Sequence, residues 1–194
     1  MDEKDRSELM ANILPDYLAP GLRAVFCGTA VGTASAARGH YYAGPGNEFW
    51  PLLHRSGLVP VPLTPGQDHD IVRYGLGLTD LAKRTAASRD ELLGAADFDV
   101  PGFVGKMRRY RPAWLVFHGK TPARVASRAL GHGPGIRLGR QAWTLADLPV
   151  FVLPSASAAN RGVANLEGKP SRLDWFLAFA SLLPPLAAPG ESGP

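Results

Sequence analysis

The chain has 194 residues, 45% of them hydrophobic and 20% charged, with 22 Gly and 18 Pro; this length and mixture fit one globular domain spanning 1–194 and exclude a disordered or fibrous chain. The net charge of +4 conceals an asymmetry, since residues 1–100 carry 9 Lys/Arg against 13 Asp/Glu and residues 101–194 carry 12 against 4. A basic second half suits a polyanionic partner such as nucleic acid, or equally a basic surface kept for solubility.

The opening MDEKDRSELM is acidic, unlike a signal or transit peptide, and no apolar run approaches the roughly 18 residues of a membrane span. SELMANILPDYLAPG reads as a short helix within residues 1–17, capped by Ser7 and broken by Pro15. LRAVFCG follows, a compact apolar run closed by Gly, which is the pattern of a buried strand. Its Cys27 is the chain's one cysteine, so an internal disulfide and a Cys-based metal site within one chain are excluded, as suits a reducing cytosol. The expectation is a cytoplasmic protein, nucleoid-associated if bacterial, without a membrane partner.

Two later runs, PAWLVFHG (112–119) and LPVFVLPS (148–155), repeat the strand pattern. NEFWPLLHRSG, RDELLGAADF, VPGFVGKMRRYR and TPARVASRALG read as intervening helices, and RLDWFLAFASLL as a final one with Trp175, Phe176 and Phe179 at core spacing. Residues 185–194, rich in Pro and Gly, read as a flexible tail. Near-continuous apolar strands separated by helices predict an α/β fold with a parallel sheet covered on both faces.

In such a sheet ligands bind beyond the carboxyl ends of the strands. Each strand run ends there in small and polar residues: GTAVGTASAARG, HGKTP and PSASAANRG. GTAVGTAS matches neither the dinucleotide nor the P-loop spacing, so it is either a tight turn or a backbone cradle for an anion or a planar ring. Lys120 opens a helix at a strand end, where it and the helix N-terminus could share a phosphate.

Taken in order, LAPGLRAVFCG, GHYYAGPGNEFWPLLHRSGL, GLGLTDLAKRT, VFHGK and LPSASA resemble the uracil-DNA glycosylase superfamily, above all its mismatch-specific uracil- and thymine-DNA glycosylase branch. The resemblance runs from about residue 18 to 170, and its most specific piece is G-H-x-Y-x-G-P-G-N-x-F-W. It implies a three-layer α/β/α fold around a four-stranded, mostly parallel sheet. The implied activity is excision of a flipped base by cleavage of its N-glycosidic bond. The implied partner is uracil-containing DNA, single- or double-stranded, met by a monomer with no metal or organic cofactor.

By position Tyr42 matches the aromatic residue that stacks on the flipped uracil, Asn47 shapes the loop into the next helix, and Gly28, Thr29 and Ala30 lie near the base. The branch's first motif, G-I-N-P-G, carries an Asn that positions the attacking water; here the motif is GTAVG and Ala30 stands at that position. Tyr41 likewise stands where thymine-active relatives carry a second His beside His40. Either catalysis has been lost and the protein only binds uracil-containing or mispaired DNA, or another residue serves. A glycosylase for a different deaminated base, such as hypoxanthine, is a third reading.

The replacement with the strongest claim is Asp80, at a position that faces the base pocket in the family; its alternative is a cap or loop carboxylate paired with Lys83 or Arg84. His40 could donate to the uracil carbonyl or to phosphate, or be a structural loop histidine, and Glu48 reads as a first-turn acid. PSASAANRG matches the motif that enters the minor groove: Ser155 and Ser157 are expected on phosphate, Ala159, Asn160 and Arg161 lie nearest the wedge position, and Arg161 is assigned the wedge or phosphate role. Lys120 extends that basic strip, and Arg73 in LTPGQDHDIVRYG is either DNA-facing or part of a surface connection. Neither family motif offers a Lys nucleophile, which disfavours β-lyase action.

Overall fold

The computed structural model of the protein describes residues 12–133, 135–158, 166–184 and 186. The three apolar runs form β1 (Ala24–Ala30), β3 (Leu115–His118) and β5 (Leu148–Leu153), while β2 (Leu76–Ala82) and β4 (Gly139–Leu145) complete the sheet. The order is β2-β1-β3-β5-β4. The first four run parallel and β4 is antiparallel to β5.

The sheet therefore has five strands, not the four expected. β4, GRQAWTL, alternates buried and exposed positions as an edge strand does, and so lacks a continuous apolar run. It reaches β5 through Ala146 and Asp147, with φ of 53° and 65°, the double left-handed conformation of a tight hairpin turn.

Strand alternation divides the core in two. Phe26, Leu78, Val116 and Phe151 face one cluster, with α2 (Phe49–Arg55) and α5 (Arg172–Ala180) packed over them through Phe49, Leu53, Phe176 and Phe179. Val25, Cys27, Leu115, Phe117 and Val150 face the other, covered by α3 (Val100–Tyr110) and α4 (Lys120–Ala129) through Phe103, Met107, Ala123 and Ala126. A short α1 (Thr33–Arg38) lies within the loop that follows β1.

Three expected local structures are corrected. Residues 12–17 are not helical: Tyr17 bridges Leu78 antiparallel, exchanging two backbone hydrogen bonds of 3.0 Å and covering the free edge of β2. Pro15 and Pro20 disfavour a helix there, and Gly77 admits the strap, since a Cβ at 77 would lie 2.7 Å from the Tyr17 carbonyl oxygen. RDELLGAADF forms two short 3-10 turns, Asp90–Leu92 and Ala95–Asp97, because Leu93 is extended and Asp97 binds back to the Gly94 N–H and the Thr85 hydroxyl. LTPGQDHDIVRYG, read as a loop, contains the 3-10 helix Pro65–Tyr74.

Arg23, just before β1, ties distant segments together. Its guanidinium donates to the carbonyls of Tyr74 (3.0 Å) at the end of the 3-10 helix, Leu58 (3.0 Å) just after α2 and Pro184 (3.0 Å) just after α5. A lysine ammonium lacks the planar fork that serves all three. Arg23→Lys is expected to lower the unfolding free energy by about 1–3 kcal/mol in urea titrations; an unchanged midpoint would mean that solvent serves those carbonyls equally well.

Candidate active site

β1 and β2 lie side by side in parallel, and the register sets Gly28 opposite Asp80 near their carboxyl ends. Both belong to the Phe26–Leu78 face by alternation, toward α2. A Cβ at residue 28 would sit 2.3 Å from Asp80 Oδ1 and 3.7 Å from Tyr42 Oη. The carboxylate thus occupies space that only glycine leaves open. Asp80 is 5% exposed and also lines a cleft of about 670 Å³ that crosses the β2 edge past Asp16 and Lys83 to Lys106.

Burial, aided by the charges of Asp16 and Asp90 and opposed by Lys83, raises the Asp80 pKa to about 6. Asp80 lies within β2, so it is no helix cap. Lys83 is taken up elsewhere: its ammonium is 2.8 Å from Asp16, which also binds Lys106 at 2.6 Å and accepts from the Thr79 hydroxyl at 2.7 Å. Burial pushes the Asp16 carboxyl up, but the two lysines outweigh it and hold it below its ordinary value.

Tyr42 closes the other side of the site. Its ring stacks on Phe49, centroids 3.8 Å apart and planes at 26°, and meets His118 edge-on at 4.9 Å. The backbone at Tyr42 is left-handed, φ 53°, a strained conformation for a non-glycine residue. Its hydroxyl is buried with no hydrogen-bond partner among the described residues. Burial first, then the charge of Asp80, raises its pKa well above 10.

Two buried residues that motif reading passed over hold this arrangement. Asp68, 1% exposed on the 3-10 helix, accepts from the Tyr41 N–H (2.9 Å) and the Tyr17 hydroxyl (3.1 Å) and lies 3.3 Å from His40 Nδ1. His118 ends β3 and accepts the Ala156 N–H on Nε2 at 3.1 Å, so its proton sits on Nδ1. Burial, helped by Arg172, lowers its pKa to about 3 and keeps it neutral. A polar residue closing an apolar run, as in VFHG, is the sequence signal for His118; Asp68 has none, being one of several polar residues in GQDHD.

The other expected site residues distribute as follows. His40 is partly exposed, with its side chain held through Nδ1 by Asp68. Tyr41 turns into the core instead, its hydroxyl donating to the Pro15 carbonyl (3.1 Å) and accepting from Lys83 (2.7 Å). Asn47 lies two residues before α2, its Oδ1 accepting the Phe49 N–H at 3.0 Å. Ala30 ends β1, while alternation sets Thr29 on the opposite, Cys27 face.

Ser155 Oγ accepts the Ser157 N–H at 3.3 Å, and the Glu48 N–H donates to the Ala156 carbonyl at 3.0 Å, which fixes this loop against the start of α2. The Lys120 ammonium is paired with Glu167, and Glu48 with Arg172. Arg73 is 78% exposed and 3.3 Å from Asp70. Asn160 and Arg161 lie outside the described residues.

A family model described as the uracil DNA glycosylase superfamily matches residues 15–179. Among solved structures, the solution NMR structure of a candidate uracil DNA glycosylase from Methanosarcina acetivorans superposes with a TM-score of 0.59 at 21% identity, over 87% of this chain and 96% of that one. At that identity the likeness is one of fold. With the matched span running from the strap on β2 to the last turn of α5, the chain belongs to the uracil DNA glycosylase superfamily.

Proposed function

We propose that the protein is a monofunctional uracil-DNA glycosylase that takes uracil from DNA into the site beneath Tyr42 and hydrolyses its N-glycosidic bond, leaving an abasic site. The observation that carries this reading is the Asp80 carboxylate. It is buried against Gly28 with its pKa raised to about 6, in a chain of this superfamily whose first motif has alanine at residue 30. A carboxylate with that pKa is ionised at neutral pH and still basic enough to take a proton.

The flipped ring stacks on the face of Tyr42 that Phe49 leaves free. Asp80 orients a water toward C1′ and favours the positive charge that grows on the sugar as the bond lengthens. The water oxygen bonds to C1′, the C1′–N1 electron pair leaves with uracil, and Asp80 receives the water's proton. Uracil departs as a stabilised anion held by backbone N–H groups at the end of β1, so the reaction does not depend on an Asn at residue 30. His40 donates its Nδ1–H to Asp68 and, as an imidazolium, its Nε2–H to a base carbonyl or a phosphate. Ser155, Ser157, Lys120 and Arg73 extend the DNA contact, with Arg161 in the wedge or phosphate role.

Single-uracil oligonucleotides, free or paired with G or A, should be converted to alkali-labile strands by the purified protein, faster than matched hypoxanthine substrates. Intact strands with a native-gel shift would instead make it a binder of such DNA, and preferential cleavage at hypoxanthine would reassign the base.

Asp80→Asn keeps the shape of the side chain and removes the base. Its single-turnover rate should fall at least about 100-fold while DNA affinity changes less than about threefold; an unchanged rate would remove Asp80 from the mechanism.

The same substitution has a stability signature. Because the folded-state pKa of Asp80 lies above the ordinary 3.8, the folded protein holds its proton more tightly than the unfolded chain. That stabilising contribution is full below about pH 4 and lost as pH rises through about 6. At neutral pH the buried charge therefore opposes folding, by roughly 3 kcal/mol at most. Asp80→Asn should raise the thermal midpoint by several degrees near pH 7.5 and by little near pH 4; a lowered midpoint at neutral pH would contradict this.

A further inference from the structure

The Tyr42 hydroxyl is a buried donor without a partner among the described residues, carried by a residue in a left-handed conformation. Leaving such a group unsatisfied costs stability, and the backbone strain adds to that. Stacking alone does not account for it, since a phenyl ring would lie on Phe49 equally well without the orphaned oxygen.

Its surroundings indicate what it meets. Tyr42 Oη and Asp80 Oδ1 lie 3.7 and 2.3 Å from one point beside the Gly28 Cα, which caps their separation at about 6 Å, and they are not hydrogen-bonded to each other. One water making a bond of about 2.8 Å to each oxygen bridges separations up to about 5.6 Å. The oxygen also lies in the plane of its own ring, so a base stacked on the ring face leaves the hydroxyl free to reach past it toward Asp80.

We propose that Tyr42 has a second task besides stacking: its hydroxyl and the Asp80 carboxylate together hold the attacking water. This rests on the reading of Asp80 as the group that activates water. The phenol donates to one lone pair of the water oxygen, Asp80 accepts one of its protons, and the remaining lone pair faces C1′. Tyr42 neither gains nor loses a proton in the reaction, and its raised pKa suits a permanent donor. The water exchanges a poorly satisfied hydroxyl for a bridged one, as buried polar groups require.

The test compares Tyr42→Phe, Asp80→Asn and the double variant of the full chain by thermal melting and by single-turnover excision from a single-stranded uracil oligonucleotide. Tyr42→Phe should melt no lower than wild type, because the orphaned oxygen is removed and the ring retained, yet react about 10- to 100-fold more slowly. In the Asp80→Asn background the same change should alter the rate by less than about threefold, since no activated water remains to be held. A Tyr42→Phe rate within twofold of wild type would overturn the assignment, as would an equal loss in both backgrounds, or a loss matched by a lower melting point. If Asp80→Asn reacts as fast as wild type, the reading of Asp80 itself fails; if it is slow and Tyr42→Phe is not, only the role of the hydroxyl fails.

Discussion

At residue 28 the chain has no room for a Cβ, because a carboxylate from the neighbouring strand fills that space. This close approach exists only because β1 and β2 are parallel and in a register that sets Gly28 against Asp80. Once fixed, it decides the chemistry available at this end of the sheet. The carboxylate is buried near the like charges of Asp16 and Asp90, with one lysine nearby to offset them, and so retains its proton up to about pH 6. A strand slip of one residue would send Asp80 to the opposite face. The strap at Tyr17, closing over the edge of β2 and seated on Gly77, helps to hold the register.

The opposite wall depends on a chain of buried polar contacts rather than on a strand. Asp68 accepts from the Tyr41 backbone and from Tyr17, Trp50 Nε1 donates to the Tyr41 carbonyl, and Lys83 meets the Tyr41 hydroxyl. Together these pin residue 41 on both sides, and residue 42 is thereby held left-handed with its ring pressed against Phe49. The same contacts join the strap, the 3-10 helix and the loop before α2, so the aromatic wall and the edge of the sheet are positioned by one network. On the far side, neutral His118 links the end of β3 to the 154–158 loop through the Ala156 N–H. Stability is given up in this region, through a buried carboxyl and an unsatisfied phenol, as is common where a protein meets its substrate.

How far this was legible in the sequence follows from the physics of each piece. β1, β3 and β5 announce themselves because strands covered on both faces read as unbroken apolar runs. β2 does not: LGLTDLA is buried throughout, but its Gly, Thr and Asp are there to admit the Tyr17 strap, to bind Asp16 and to present Asp80. β4 is half exposed and reads as loop. The helix expected at the N-terminal end gives way, over residues 12–17, to a strap whose backbone bonds are made with β2, a partner about 60 residues away that no local pattern reveals. In the site, Tyr42 and Asp80 could be singled out through motif resemblance, whereas Asp68 and Phe49 acquire their roles only from what the fold brings against them. The alternation that sets Thr29 away from Gly28 was, in contrast, implicit once the strand was recognised.

We propose Asp80 as the ionisable group on which uracil excision turns, and its own titration is the test. Carbon-13 detection of the Asp80 carboxyl, assigned by its loss in Asp80→Asn, would be followed between about pH 4 and pH 8 beside the single-turnover rate of uracil excision. The carboxyl midpoint is expected near 6, with a rate that rises through the same midpoint to a plateau as the carboxylate forms. A midpoint in the ordinary carboxylate range near 4, or a rate that is flat across the Asp80 transition, would contradict it.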